Sequence, residues 1–367
     1  MKAGVVYVNK KQTSSQEELN KMKMNKWTMG LAAAGVVSLA STAQAEENSV
    51  LTAMSSTVIS GSVEASYNGS LSSGNKLADS HHTGDEGFNA NGASLAISSP
   101  LGDGDYNAGF NVELLLGQRA ADFSTEGDDF HIKNANIGLN LPFGYGVDLT
   151  LGLFDTIVGY EVEASGSNPN VSRSYGYDLE PFTHTGLLVS TSLVDGIDAS
   201  IGLANAFDST SGLHNGDTTD FALLAGLSIT APDSLGFLAG STAYVGYTEG
   251  TGDDEDTLFY VGASMASPIE GVSLGVSYDD REYAGEAGDE ADAVALYAVW
   301  DTSDSISLAL RYDTLDGTDG DSTSMWTATL GYSIWDNVLT RLELNNETGD
   351  RDHGSSNGLG LNLFYQF

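Results

Sequence analysis

From Val58 to the last residue, segment after segment carries apolar side chains at every second position, and no segment longer than two turns follows a helical period. A period of two puts successive side chains on opposite faces of an extended strand, so each segment carries one apolar face. Ala135, Ile137, Leu139 and Leu141 form one such face. Val272, Leu274, Val276 and Tyr278 form another, and Leu359, Leu361, Leu363, Tyr365 and Phe367 close the series. The opposite positions read mostly as Gly, Ser, Thr, Asn or charge. About sixteen segments are counted, from 58–68 to 357–367, with 58–68 and 237–247, Gly-rich and poor in apolar contrast, the weaker ones.

Soluble sandwiches also alternate, so the connections decide the environment. Short links at 142–146, 194–196 and 335–336 alternate with long ones at 118–129, 158–181 and 280–291. Strict short–long alternation is the pattern of an outer-membrane meander, with tight periplasmic turns and longer outer loops. A strand of about 11 residues tilted by about 40° rises about 28 Å, the height of the apolar band. The chain therefore reads as all-β, a closed antiparallel transmembrane β-barrel of about 16 strands over 58–367. No run of 18 apolar residues occurs in that body, which excludes helical spans. Phe88, Tyr106, Tyr247, Tyr260, Tyr278, Trp300, Tyr312, Trp326, Trp335 and Tyr365 are expected in interfacial girdles. The terminal Phe367 resembles the assembly signal of bacterial outer-membrane barrels.

Ahead of the barrel, Lys21, Lys23 and Lys26 precede an apolar run at 29–40 and the sequence Ala43-Gln-Ala45-Glu46. This is the layout of a secretory signal peptide over 22–45, cleaved between Ala45 and Glu46. Residues 1–21 read as an upstream over-extension and 46–57 as a short N-terminal segment. Fourteen basic residues against 51 acidic ones give a net charge of −37. That balance excludes nucleic acid as a partner, because binding it requires cationic side chains that displace counterions. It permits cations, sugars or basic partners. The chain has no cysteine.

The middle of the chain sets the functional expectation. Two half-apolar strands flank a polar, Gly-rich stretch, 158–181, too long for a plain turn. It is expected to fold into the lumen and narrow it, through Tyr160, Glu161, Glu163, Arg173, Tyr175, Asp178 and Glu180. With apolar faces toward lipid, the opposite parity puts Glu64, Glu113, His184, Arg281, Arg311, Arg341 and Glu343 on the lumen wall. A charge on the lipid face at mid-membrane costs ~2–4 kcal/mol, which favours the inward assignment. Loop carboxylates opposite wall arginines would set a transverse field, and the surplus of acids tilts it toward cations. The same charges could equally pair with one another and brace the loop.

The segments Gly152-Leu-Phe-Asp-Thr-Ile-Val-Gly-Tyr-Glu-Val-Glu-Ala164, Ser167-Asn-Pro-Asn-Val-Ser-Arg-Ser-Tyr-Gly-Tyr177 and Glu180-Pro-Phe-Thr-His-Thr-Gly186 resemble the central motif of the β-barrel porins of the OmpL-like type. Strand layout extends the resemblance over 46–367. It implies a passive outer-membrane porin of a Gram-negative bacterium, carrying small hydrophilic solutes or ions. The chain is also similar to sixteen-stranded general porins in placing its longest loop between strands five and six. That likeness implies a trimer. Its acidic outer loops depart from the pattern.

In those loops Asp253, Asp254, Asp256, Asp316, Asp319 and Asp321 could gather oxygen ligands around Ca²⁺ or Mg²⁺. None fits the twelve-residue calcium-loop spacing, so no resident cofactor is expected. Such loops suit contact with outer-membrane lipids and with lipopolysaccharide through divalent ions. No nucleophile elbow, zinc-protease helix or phosphate loop occurs, and the chain reads as a non-enzyme. The competing reading is a structural or adhesive surface barrel with an occluded lumen.

Overall fold

The computed structural model describes residues 57–71, 86–101, 106–123, 127–209, 221–251, 256–284, 289–317, 322–349 and 355–367. The expected signal peptide with Ala43, Ala45 and Glu46, the upstream 1–21 and all but the last residue of 46–57 lie outside the described residues.

Sixteen antiparallel strands close on themselves, each paired with its neighbours in sequence and β1 with β16. In chain order they are β1 (Val58–Ser70), β2 (Gly87–Ser99), β3 (Asn107–Leu116), β4 (Phe130–Leu141), β5 (Val147–Asp155), β6 (Thr183–Val194), β7 (Ile197–Ala204) and β8 (Ala222–Thr230). The second half runs β9 (Thr242–Gly250), β10 (Thr257–Ala266), β11 (Val272–Glu282), β12 (Glu290–Asp301), β13 (Ile306–Asp316), β14 (Ser322–Trp335), β15 (Val338–Gly349) and β16 (Ser355–Gln366). Closure pairs every strand on both edges, which is what allows a sheet to span lipid. The last residue belongs to that closure: Phe367 and Gly61 exchange two backbone hydrogen bonds of 3.0 Å.

Strand ends shift by up to five residues from the sequence reading, and two of the late starts involve β8 and β9. The segment expected at 237–247 begins as a 3₁₀ turn, Asp233–Leu238, and extends only from Thr242. Pro232 lacks an N–H, and Gly236 and Gly240 take φ of 65° and 77°, so this stretch cannot join a ladder. The segment expected from 219 pairs only from Ala222.

The outer face carries the apolar parity. Leu296, Leu310, Leu342 and Leu361 are each about half exposed on their strands. The inner face departs from expectation on two arcs. On β12 it is Ala291, Ala293, Ala295, Tyr297 and Val299, all buried. Across β5 to β10, Phe154, Ala204, Ala222, Leu224, Tyr244, Leu258 and Tyr260 form a dry cluster with Ile157, Val158 and Phe207. Tyr260, expected in a girdle, has no exposed surface and points inward, because β10 turns its even-numbered residues to the lumen. An apolar inner wall with no water against it needs something packed on it.

Candidate functional site

The segment between β5 and β6 packs on that wall and then circles the lumen. Val158 fills the space over Gly246 of β9, and Tyr160 stacks on Tyr297 of β12 at 4.1 Å between ring centroids. Glu161 meets Arg311 of β13 at 3.0 Å. A 3₁₀ turn, Ser165–Ser167, reaches β1, where the Ser165 hydroxyl donates to Glu64 at 2.6 Å. Asn170 donates to Thr329 of β14, and a short helix, α2 (Tyr175–Leu179), rests against β11, β12 and β13. The α2 N-cap, Ser174, accepts from the backbone N–H of Tyr177.

Wall charges hold this circuit by its backbone. Glu343 accepts from the N–H of Val171 at 2.6 Å and of Ser172 at 2.9 Å. Asp313 accepts from the N–H of Tyr175 at 3.2 Å. Arg311 donates to Asp313 at 2.8 Å and to the carbonyls of Ser172 and Arg173 at 2.7 and 2.6 Å. Arg341 donates to the carbonyls of Ser165, Asn168 and Asn170 and to Asn362. A loop without regular structure leaves many peptide groups unpaired, and these side chains satisfy them.

A second inward piece was not legible in the sequence. The link after β3, expected as an outer loop, starts with a helix, α1 (Gln118–Phe123), whose Arg119, Ala120 and Phe123 are buried. Arg119 makes a two-pronged contact with Glu163, at 2.6 and 2.8 Å. Lys133 was also missed. By parity with Ala135 and Ile137 it belongs on the lipid face. A bulge where β4 pairs with β3 at Glu113 and Leu114 inserts an extra residue and re-aims it. Lys133 then points inward, 2.8 Å from Asp155 and 3.2 Å from Glu113.

A cavity of about 1460 Å³ remains inside the barrel. Its wall at loop level is Glu113, Phe123, Lys133 and Asp155 on one side, and Glu161, Glu163, Tyr177 and Glu180 on the other. It continues to the short turns that follow β10, β12 and β14, where Glu270, Asp301, Asp304 and Asp336 line it. Of the seven expected wall residues only Glu113 borders this space. Glu64, His184, Arg311, Arg341 and Glu343 are buried beneath the loop, and Arg281 is held under α2 by the Leu179 carbonyl. They lie on the inner face but are covered: loop peptide groups engage Arg281, Arg311, Arg341 and Glu343, while Glu64 meets the Ser165 hydroxyl and His184 the Thr156 hydroxyl. Of the seven loop residues, Glu161, Glu163, Glu180 and Tyr177's neighbour Tyr175 divide between two tasks. The first three border the cavity, while the Tyr175 hydroxyl donates to Glu347 at 2.8 Å. Arg173 donates to the carbonyls of Val171 and Glu163.

Asp178 on α2 keeps an exposed side chain but is not among the residues that line the cavity. The protein closing around it pushes its carboxyl up to about 7, with Glu161 adding to the rise and Arg173 and Arg311 opposing it. Among the candidate metal ligands, Asp256 pairs with Arg281 and accepts from the N–H of Ala284 at 2.6 Å, so it is already committed. Asp316 sits across from Asp292 at the rim. Asp253, Asp254, Asp319 and Asp321 lie outside the described residues. Among the described residues no three His, Cys, Asp or Glu side chains converge to hold a metal.

A closed sixteen-stranded cylinder with a lipid-facing apolar band and a loop seated in a residual water space is the architecture of a porin. The chain belongs to the family described as "Putative beta-barrel porin-2, OmpL-like", whose profile matches residues 56–363. It is an outer-membrane porin of the bacterial type. No curated protein sequence matches it. Solved structures share the fold at low identity. They include OprB of Pseudomonas putida, at 11% identity and a TM-score of 0.63 over 87% of this chain and 96% of that one. An anion-selective porin of Comamonas acidovorans matches at 13% and 0.59, over 85% and 99%. The trimer form of OmpT of Vibrio cholerae matches at 13% and 0.54, over 85% and 99%.

Proposed function

We propose that this porin passes small hydrophilic solutes by diffusion and favours cations over anions. The observation that carries the reading is the lining of the cavity. Glu113, Asp155, Glu161, Glu163, Glu180, Glu270, Asp301, Asp304 and Asp336 border it, against Lys133 as the single cationic side chain among its lining residues. Several of these acids are neutralised in pairs with Arg119, Lys133 and Arg311. The four at the short-turn end have no basic residue beside them in the lining, so the field at that mouth is negative. A shared fold does not fix the sign of selectivity, since the Comamonas acidovorans porin is anion-selective. The sign follows from the charges of this chain.

The reading extends to assembly and surroundings. The chain is exported by the signal segment at 22–45, forms trimers as sixteen-stranded porins do, and meets lipopolysaccharide through divalent ions at its acidic outer loops. Reversal potential in a planar bilayer under a KCl gradient tests the central claim. A potential of the sign set by K⁺ supports it. A potential set by Cl⁻, or a correctly folded barrel that never conducts, overturns it, the second outcome favouring an occluded surface barrel.

A further inference from the structure

The geometry points to a sugar-binding subsite on the cavity wall, where Tyr177 and Phe182 offer a platform to the ring face of a neutral saccharide and Asp155 and Lys133 beside them take its hydroxyls. The platform belongs to a run of three aromatic rings. Phe123 of α1 lies 5.0 Å from Phe182, and Phe182 lies 5.0 Å from Tyr177 of α2, centroid to centroid. The run thus bridges the two inward pieces that follow β3 and β5. A small core accounts for its inner end, where Leu115 and Ala120 pack with the buried Phe123. It does not account for the outer end. Phe182 and Tyr177 are only partly buried, and both border the water-filled cavity. Arg173 braces the Tyr177 ring from 5.3 Å, and among the described residues the Tyr177 hydroxyl has no hydrogen-bond partner.

Polar groups stand next to the rings. The Phe182 carbonyl accepts from the N–H of Thr156 at 3.0 Å, which sets that residue beside Asp155. The Asp155 side chain is 48% exposed and lies 2.8 Å from the Lys133 ammonium. Other acids at this level are already matched: Glu113 with Lys133, Glu163 with Arg119, Glu161 with Arg311, and Glu180 by a hydrogen bond with Asp279. A free cation would meet Lys133 and a free anion would meet Asp155, whereas a hydroxyl donates to the carboxylate and accepts from the ammonium. The C–H bonds on the face of a sugar ring suit the negative face of an aromatic ring. Aromatic lining with a few placed polar groups is the general make-up of a small-molecule site. This inference rests on the reading that solutes cross the lumen, and not on the sign of selectivity.

The test is single-channel current in a planar bilayer with maltose added, and with mannitol as a control that carries hydroxyls but no ring. Maltose should interrupt the wild-type current and saturate, while mannitol should lower it only through viscosity. Tyr177→Ala and Phe182→Ala should each weaken the maltose block by about tenfold, the scale of one lost ring contact. Tyr177→Phe should keep most of it. Asp155 lies outside the loop, so Asp155→Asn, expected to weaken the block severalfold, reports where an aromatic variant unseats the loop. A maltose effect no different from that of mannitol overturns the inference, as does a block that none of these variants weakens. So does block by benzyltrimethylammonium without block by maltose, which would make the rings an organic-cation site. In each of those cases the channel still conducts and the porin reading stands. A barrel that never conducts overturns that reading, and saturation-transfer NMR of maltose with the detergent-folded chain then decides the subsite. No transfer, or transfer undiminished in Tyr177→Ala, overturns it.

Discussion

Replacing Arg311 by Met separates the seating of the loop from the stability of the barrel. The guanidinium has no exposed surface and contacts two carboxylates, Asp313 at 2.8 Å and Glu161 at 3.0 Å, besides two loop carbonyls. Removing one partner of a buried pair costs about 3–5 kcal/mol, because the stranded charge keeps its desolvation penalty. The barrel ladder does not pass through these bonds, so the cost falls on the loop. At 1.4 kcal/mol per tenfold, the seated-to-released ratio should fall by about a hundredfold to several thousandfold. Single-channel recording should then show larger and noisier openings, with an unchanged melting temperature for the barrel. Removing the stranded acids together with the arginine (Arg311→Met, Glu161→Gln, Asp313→Asn) should recover a quiet channel in part, as charges lost together cost less than one left alone. A single variant with wild-type conductance, noise and protease protection of the loop would refute the reasoning.

Three further outcomes follow from the lumen and its wall. Lys133→Gln removes the cavity's cationic side chain, and the reversal potential should move further toward the cation limit; movement toward the anion limit would place the lysine elsewhere. Because the Asp178 carboxyl is raised to about 7, it is neutral below that pH and charged above it. Cation preference should grow as pH rises through 7, and Asp178→Asn should flatten that step. The linked stability has the same origin and the opposite benefit. A raised carboxyl favours the seated loop at low pH, and that contribution is lost as pH climbs from the unfolded value near 4 through 7. Leu310→Arg puts a charge at mid-height on the lipid face, where Leu310 is 53% exposed, and should cost ~2–4 kcal/mol in refolding into vesicles.

The barrel was readable because an uninterrupted strand has only two sides, and one apolar side fixes the other. Ala135 to Leu141 and Leu359 to Phe367 needed nothing more. Parity fails where the ladder gains a residue, and Lys133 is the clearest instance. A lysine in phase with Ala135 and Ile137 was itself the sign of a bulge at that place. It fails again where both faces are apolar, as at Leu224, Leu258 and Ala293, since alternation does not say that a second layer lies inside. The α1 helix was hidden by its shortness: six residues, Gln118–Phe123, are too few for a helical period to stand out. Side was legible for Arg311, Arg341 and Glu343. Their cover was not, because burial under the loop depends on contacts more than 130 positions away in sequence.

The dry cluster spanning β5 to β10 has a consequence for how the cylinder is used. A loop seated on that arc and then held around the wall as far as β15 and β1 leaves the inner face of β3, β4 and β5 bordering the open space, so traffic is confined to an off-centre crescent beside them. Around the circumference there is then a division of labour. Swapping Leu224 or Leu258 for a smaller residue should loosen the plug without touching the road, whereas a change at Asp155 alters the road and leaves the plug alone.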